Sequence, residues 1–132
     1  MLDYARQRAI EMLKVPRRAV LASHGPGGLQ VGEYSCQALG LALYLLLPGA
    51  CDQLVNLEHG GRVTLLSEVW ELKGEAHIIP LGAHQPELDI TQKPGAKWCR
   101  LVQVEPFQMH IRRAGGWGNL ETLDLAREPL DI

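Results

Sequence analysis

The chain contains a series of short segments in which apolar and polar residues alternate, or which are apolar throughout, each bounded by glycine or proline. These are residues 19–24, 29–38, 41–47, 62–69, 70–79 and 97–112. Alternation with a period of two predicts half-buried β-strands, and a short apolar run predicts a buried one. Because crossover helices between all the strands are missing, the pattern favours antiparallel over parallel pairing. The pattern therefore predicts a mostly β protein whose antiparallel sheet closes, or nearly closes, into a barrel.

Two helices and one unusual strand complete this prediction. Apolar residues at helical spacing indicate a first helix over residues 3–14, which Pro16 ends, and a short second helix over residues 50–59. The Gly25-Pro26-Gly27-Gly28 segment reads as a hairpin turn, because a strand follows it and a phosphate-binding loop would need a helix there. Pro106 divides the last alternating segment, so we expect either two strands or one bent strand at a sheet edge.

The composition limits the size of the protein and the classes of partner. With 132 residues the chain predicts one domain, spanning residues 1–132. Its net charge of −2, with basic and acidic residues interspersed, predicts neither a nucleic-acid binder nor a membrane-associated protein. Cys36, Cys51 and Cys99 are an odd number at long spacings, which favours reduced thiols and a cytoplasmic location.

No motif for metal binding or nucleophilic catalysis occurs in the sequence. The five histidines are far apart and no two cysteines have CxxC spacing, so we expect no metal site. No serine lies in a GxSxG or SxxK motif. We therefore assign no catalytic residue.

Several segments, taken in order, resemble the pyridoxamine 5'-phosphate oxidase-like FMN-binding split-barrel family. They are Ala19-Val20-Leu21-Ala22, Leu43-Tyr44-Leu45-Leu46, Val55-Asn56-Leu57, Arg62-Val63-Thr64-Leu65, Trp70-Glu71-Leu72-Lys73-Gly74-Glu75-Ala76 and Gly116-Trp117-Gly118-Asn119. The resemblance implies an antiparallel split β-barrel with a few short helices. It also implies a homodimer that holds FMN in a groove between two barrels, and a flavin-dependent oxidoreductase acting on a small molecule. The FMN-contacting positions that it transfers to this chain are Gly32, Glu33, Tyr34, Ser35, Cys51, Asp52, Gln53 and Trp117.

One part of the resemblance fails at the predicted phosphate site. Many family members open the helix after the third strand with Ser-Arg-Lys, where this chain has Cys51, Asp52 and Gln53. Asp52 would repel a phosphate, whereas the family's arginine would attract it. Three alternatives follow: FMN binds with its phosphate neutralised by other cations such as Arg17, Arg18 or Lys73; the groove binds another flat ligand; or the dimer has lost its cofactor and binds a protein partner.

Overall fold

The computed structural model of the protein describes residues 2–80, 88–92, 95–112 and 120–125, and within them two α-helices and seven β-strands. Their bounds are α1 (Leu2–Leu13), β1 (Arg18–Gly25), β2 (Gly28–Leu39), β3 (Ala42–Pro48), α2 (Asp52–His59), β4 (Arg62–Leu66), β5 (Trp70–Ile79), β6 (Cys99–Arg112) and β7 (Leu120–Asp124). Two 3-10 turns, Asp89–Gln92 and Ala96–Trp98, lie between β5 and β6.

The sheet closes on itself as an antiparallel barrel. Its strand order is β3-β2-β1-β4-β5-β6-β7, and β3 also pairs with β6, so the first six strands form a ring. Every pairing between these strands is antiparallel. The predicted fold class, a mostly β antiparallel split barrel with a few helices, is confirmed. The apolar run in residues 41–47 is a strand, as expected, because both of its neighbours can pair with it.

The segment around Pro106 differs from the expectation of a sheet edge. β6 is one continuous strand, and a register shift opposite Lys73 and Gly74 accommodates Pro106. Along its other side β6 pairs first with β3, up to Val104, and then with β7, from Gln108 onward. Pro106 lies where the partner changes, so its missing N–H removes no hydrogen bond from either pairing.

The two helices close the two ends of the barrel. Leu13 of α1 and Leu54 and Leu57 of α2 join the apolar cluster inside the ring. Trp70, fully buried at the start of β5, donates from its indole Nε1 to the Met12 carbonyl at 2.9 Å and so ties α1 to the barrel. Burial of one indole with its N–H satisfied stabilises this contact by both area and hydrogen bonding. Neither of the two described helices is long and apolar enough to cross a membrane.

The outer surface of the barrel is covered on one side only, as far as the described residues show. Leu88 and Ile90, in the connection before β6, pack on Tyr44 and Leu101 and form a second small apolar cluster there. Away from this cluster, the outer face of β1, of β4 and of the first half of β2 carries no described helix or turn, whereas Gln37 in the second half of β2 accepts a hydrogen bond from the Ile90 N–H. Leu29 and Val31 of β2 are 70% and 63% exposed on this face. We call it the open face.

Candidate functional site

The start of α2, where the resemblance places the flavin phosphate, has an unusual set of side chains. Cys51 is the N-cap residue but makes no side-chain capping hydrogen bond, and Asp52 is exposed in the first turn. Gln53 is buried: its Nε2 donates to the Leu21 carbonyl at 2.8 Å, and its Oε1 accepts from the Ser23 hydroxyl. Gln53 therefore uses both ends of its amide inside the protein.

Asn56 extends this buried network one turn further along α2. Its Nδ2 donates to Ser23 Oγ at 3.0 Å and to the Gly28 carbonyl at 2.9 Å, and its Oδ1 accepts from the Gly27 backbone N–H at 2.7 Å. Neither Asn56 nor Ser23 is among the contact residues predicted from the sequence. The available signal was the pair of amide side chains at positions 53 and 56, three residues apart on the helix face that also carries Leu57. The network fixes α2 to the β1–β2 hairpin.

The glycines of the hairpin turn allow this close contact. A Cβ added to Gly27 would lie 2.8 Å from the Asp52 carbonyl oxygen, and one added to Gly25 would lie 2.9 Å from Asn56 Oδ1. Real Cβ atoms do not approach oxygen so closely, so the turn can dock on the helix only because these positions lack side chains.

The side chains at the start of α2, Cys51, Asp52 and Gln53, offer a phosphate one carboxylate and no cation. This donor set does not fit a phosphate.

The four predicted contact residues of β2 divide between the two faces of the strand. Gly32 and Tyr34 point into the barrel, where a Cβ at Gly32 would overlap the Tyr34 hydroxyl. Burial raises the pKa of the Tyr34 hydroxyl, and the electrostatic interaction with Cys51 raises it further, while a hydrogen bond with Gln53 opposes the shift. The half-buried Tyr34 and Cys51 and the buried Gln53 are therefore neighbours at the start of α2.

Glu33 and Ser35 point outward from β2, toward the open face. Arg18 on the adjacent strand bridges them: its Nε lies 3.4 Å from Glu33 Oε1, and its Nη1 donates to Ser35 Oγ at 3.3 Å. Because this pair is exposed, water screens it and it contributes little to stability. The side chains of Arg18 and Glu33 can therefore change conformation to contact a ligand with little loss of free energy. Trp117, the remaining predicted contact, lies outside the described residues.

A groove of about 600 Å³ lies at the α1 end of the open face. Its lining runs from Val15 to Val20, then includes Glu33, the stretch from Leu66 to Val69, and Arg112. Val20 and Leu66, which lie opposite each other in the β1–β4 pairing, form its floor. Arg17 and Arg112 are exposed, and neither makes an ion pair within the described part of the chain. We call this concavity the ring groove.

Two further concavities differ in charge. One of about 520 Å³ lies at the α2 end of the open face and is lined by His24, Arg62, Thr64, Lys73, Gln108 and apolar neighbours. The other, of about 640 Å³, lies against β5 and β6 and includes Glu75 and Glu105, which are directly opposite each other, with His77 at 3.5 Å from Glu105. Its two carboxylates outnumber its one arginine, Arg6, which disfavours an anionic ligand. Within the described residues no three His, Cys, Asp or Glu side chains cluster as metal ligands.

Comparisons with solved structures support the split-barrel fold. A protein related to general stress protein 26, of the pyridoxinephosphate oxidase family, from Clostridium acetobutylicum superposes with a TM-score of 0.67 at 11% identity, covering 95% of this chain and 96% of its own. A FAD-binding protein from Mesorhizobium loti gives 0.61 at 14% identity over 78% and 90% of the two chains. A heme binding protein from Mycobacterium smegmatis gives 0.63 at 16% identity over 91% and 57%. No family model and no curated protein matches the sequence, so these likenesses show the fold alone.

Proposed function

We propose that the protein binds FMN on its open face, with the isoalloxazine ring in the ring groove. The observation that carries this proposal is an uncovered sheet face holding a groove of about 600 Å³ with an apolar floor and, around it, the arginines Arg17, Arg18 and Arg112 and the glutamates Glu33 and Glu68. A volume of this size is within the range of small-molecule sites, which combine apolar walls with a few polar groups. One of the structural neighbours is a FAD-binding protein, which supports a flavin as the ligand.

The residues of the ring groove suit the chemistry of a flavin ring. Val20 and Leu66 provide a flat apolar surface, because side chains of adjacent strands stand side by side on one face of a sheet. Arg17 and Arg112 are available to donate hydrogen bonds to ring carbonyl oxygens. The exposed Arg18–Glu33 ion pair, which also lines the groove, can be exchanged for ligand contacts.

The open face also favours a second copy of the chain as the partner. Leu29 and Val31 are large, apolar and more than half exposed beside each other on one face of β2. Burying such a patch against a second copy would remove apolar area from water and cover part of the open face. We therefore propose a homodimer with flavin held between the two barrels.

A bound flavin supplies the redox chemistry of an oxidoreductase, and the protein supplies binding, orientation and exclusion of water. The chain's own contribution is the apolar floor, the arginines at the groove edge and the second subunit. No side chain of the described residues is assigned a proton transfer. The three cysteines are all unpaired, which fits a reducing compartment, and we propose a cytoplasmic location and a small-molecule substrate.

A titration with FMN, followed by quenching of flavin fluorescence, tests the proposal. We expect saturable binding to the wild-type protein, a dimeric mass by light scattering, and a loss of binding of about tenfold or more in Leu66→Lys, which places a charge in the groove floor. Val55→Lys is the matched control, because Val55 is a part-exposed apolar residue on α2 away from the groove and its variant should bind normally. A titration in which the wild-type protein causes no saturable quenching of FMN fluorescence would refute the proposal.

The second candidate is a split-barrel homodimer that has lost FMN and binds another ligand or a protein partner. Asp52 and the fully engaged Gln53 at the start of α2 favour it. Another structural neighbour is a heme binding protein, which supports heme as one alternative ligand. Titration with hemin under the same conditions distinguishes this candidate, because the heme absorption band shifts when the ring enters an apolar site.

A further inference from the structure

The concavity at the α2 end of the open face combines two cations with neutral hydrogen-bond donors. It has a volume of about 520 Å³, and its polar lining residues are Ser23, His24, Arg62, Thr64, Lys73 and Gln108. We call it the β4 hollow. It lies on the same strands, β1 and β4, as the floor of the ring groove.

Strand register brings these donors together from distant parts of the sequence. Thr64 lies directly opposite Lys73, and Lys73 directly opposite Gln108. Arg62 stands two residues from Thr64 on β4 and therefore points to the same, outer face. Directly opposite side chains in an antiparallel sheet have Cβ atoms about 5 Å apart, so the three strands place their polar groups within reach of one ligand group.

The two cations of the β4 hollow, Arg62 and Lys73, form no ion pair in the described ranges. No carboxylate lines the hollow, although Glu75 is directly across from Arg62 and shares the outer face of β5 with Lys73 and Glu71. By contrast, Arg8 and Arg18 each pair with a glutamate. The Arg62 guanidinium instead lies over the Phe107 ring, 5.3 Å from its centroid. Stacking holds the guanidinium in place and leaves its N–H groups available.

We propose that the β4 hollow binds a phosphate monoester, and that in the flavin complex it holds the FMN phosphate in place of the start of α2. A phosphate dianion with three acceptor oxygens matches an arginine, a lysine, a threonine hydroxyl and a glutamine amide. The start of α2 provides Asp52 and a glutamine whose amide is already engaged. The inference rests on the proposed function for the identity of the ligand, but the hollow's affinity for phosphate can be measured without it.

The direct test compares FMN with riboflavin, which has the same ring and no phosphate. We expect the wild-type protein to bind FMN about tenfold or more tightly than riboflavin, which corresponds to one strong charge-assisted contact. In Arg62→Gln combined with Lys73→Gln this preference should vanish through weaker FMN binding, while riboflavin binding stays constant. Lys14→Gln, which removes an exposed cation at the end of α1, is the control and should keep the preference.

Two outcomes separate the failure of this inference from the failure of the proposed function. If the double variant keeps its preference for FMN while Asp52→Arg strengthens FMN binding, the phosphate lies at the start of α2 and the inference is overturned, although flavin binding stands. If wild-type protein binds neither flavin, the proposed function fails, and a titration with inorganic phosphate followed by amide NMR shifts decides the inference. Shifts at Thr64 and Lys73 would support a phosphate site in the hollow, and their absence would overturn it.

Discussion

Replacing Asn56 with alanine should separate α2 from the β1–β2 hairpin. The Asn56 side chain is 1% exposed and makes three hydrogen bonds, with Gly27, Gly28 and Ser23. Each such bond contributes about 1 kcal/mol net, and leaving a buried donor without an acceptor costs more. We therefore expect Asn56→Ala to lower the free energy of unfolding by about 3 kcal/mol. For a domain of this size that corresponds to a fall in Tm of roughly 10 °C.

Chemical denaturation followed by tryptophan fluorescence measures this loss, and Glu58→Ala is the control. Glu58 is exposed on the same helix, so its truncation should change stability by less than about 0.5 kcal/mol. Hydrogen exchange supplies a local readout, because the Gly27 amide donates to Asn56 Oδ1 and should exchange faster in Asn56→Ala. A loss below about 1 kcal/mol with unchanged exchange at Gly27 would show that the network does not fix the hairpin.

Two further predictions concern α1 and the buried thiol. Trp70→Phe removes the hydrogen bond to the Met12 carbonyl and should cost about 1–3 kcal/mol, with faster amide exchange in α1 as the specific sign; unchanged exchange there would contradict the docking. Burial raises the pKa of Cys36 from 9.0 to about 11. The neutral thiol therefore contributes to the free energy of unfolding. This contribution is fully present below the pKa that Cys36 has in the unfolded chain, and it is lost as the pH rises through the pKa of Cys36 in the folded protein. Iodoacetamide near neutral pH should alkylate Cys51 and Cys99 and spare Cys36, and equal labelling by mass spectrometry would refute this.

The strands could be predicted from the sequence because alternation reports directly on burial. Residues 70–79 alternate cleanly and form a strand at the expected bounds. Residues 29–38 are also a strand close to the expected bounds, but their apolar Leu29 and Val31 face solvent, so the glycine turn before them, and not alternation, predicted that strand. The segment 120–124 is a strand too short to be distinguished from a loop by its pattern. Pro106 was expected at an edge because a single sequence does not show that β6 exchanges one partner for another along its length.

The candidate site could be predicted only in part, because it depends on how strands face one another. Four consecutive residues, Gly32 to Ser35, cannot all present side chains to one ligand, since a strand points them alternately inward and outward. The burial of Gln53 depends on its contact with Leu21, thirty-two residues away. The residues that line the β4 hollow come from β1, β4, β5 and β6. The sequence alone does not show which residues of these strands lie opposite one another.

The most direct test of the account is a crystal structure of the protein grown with FMN. The account predicts two copies related by a twofold axis, with the isoalloxazine ring against Val20 and Leu66 and the phosphate within hydrogen-bond distance of Arg62 and Lys73. Flavin bound elsewhere, or a phosphate at the start of α2 beside Asp52, would contradict it.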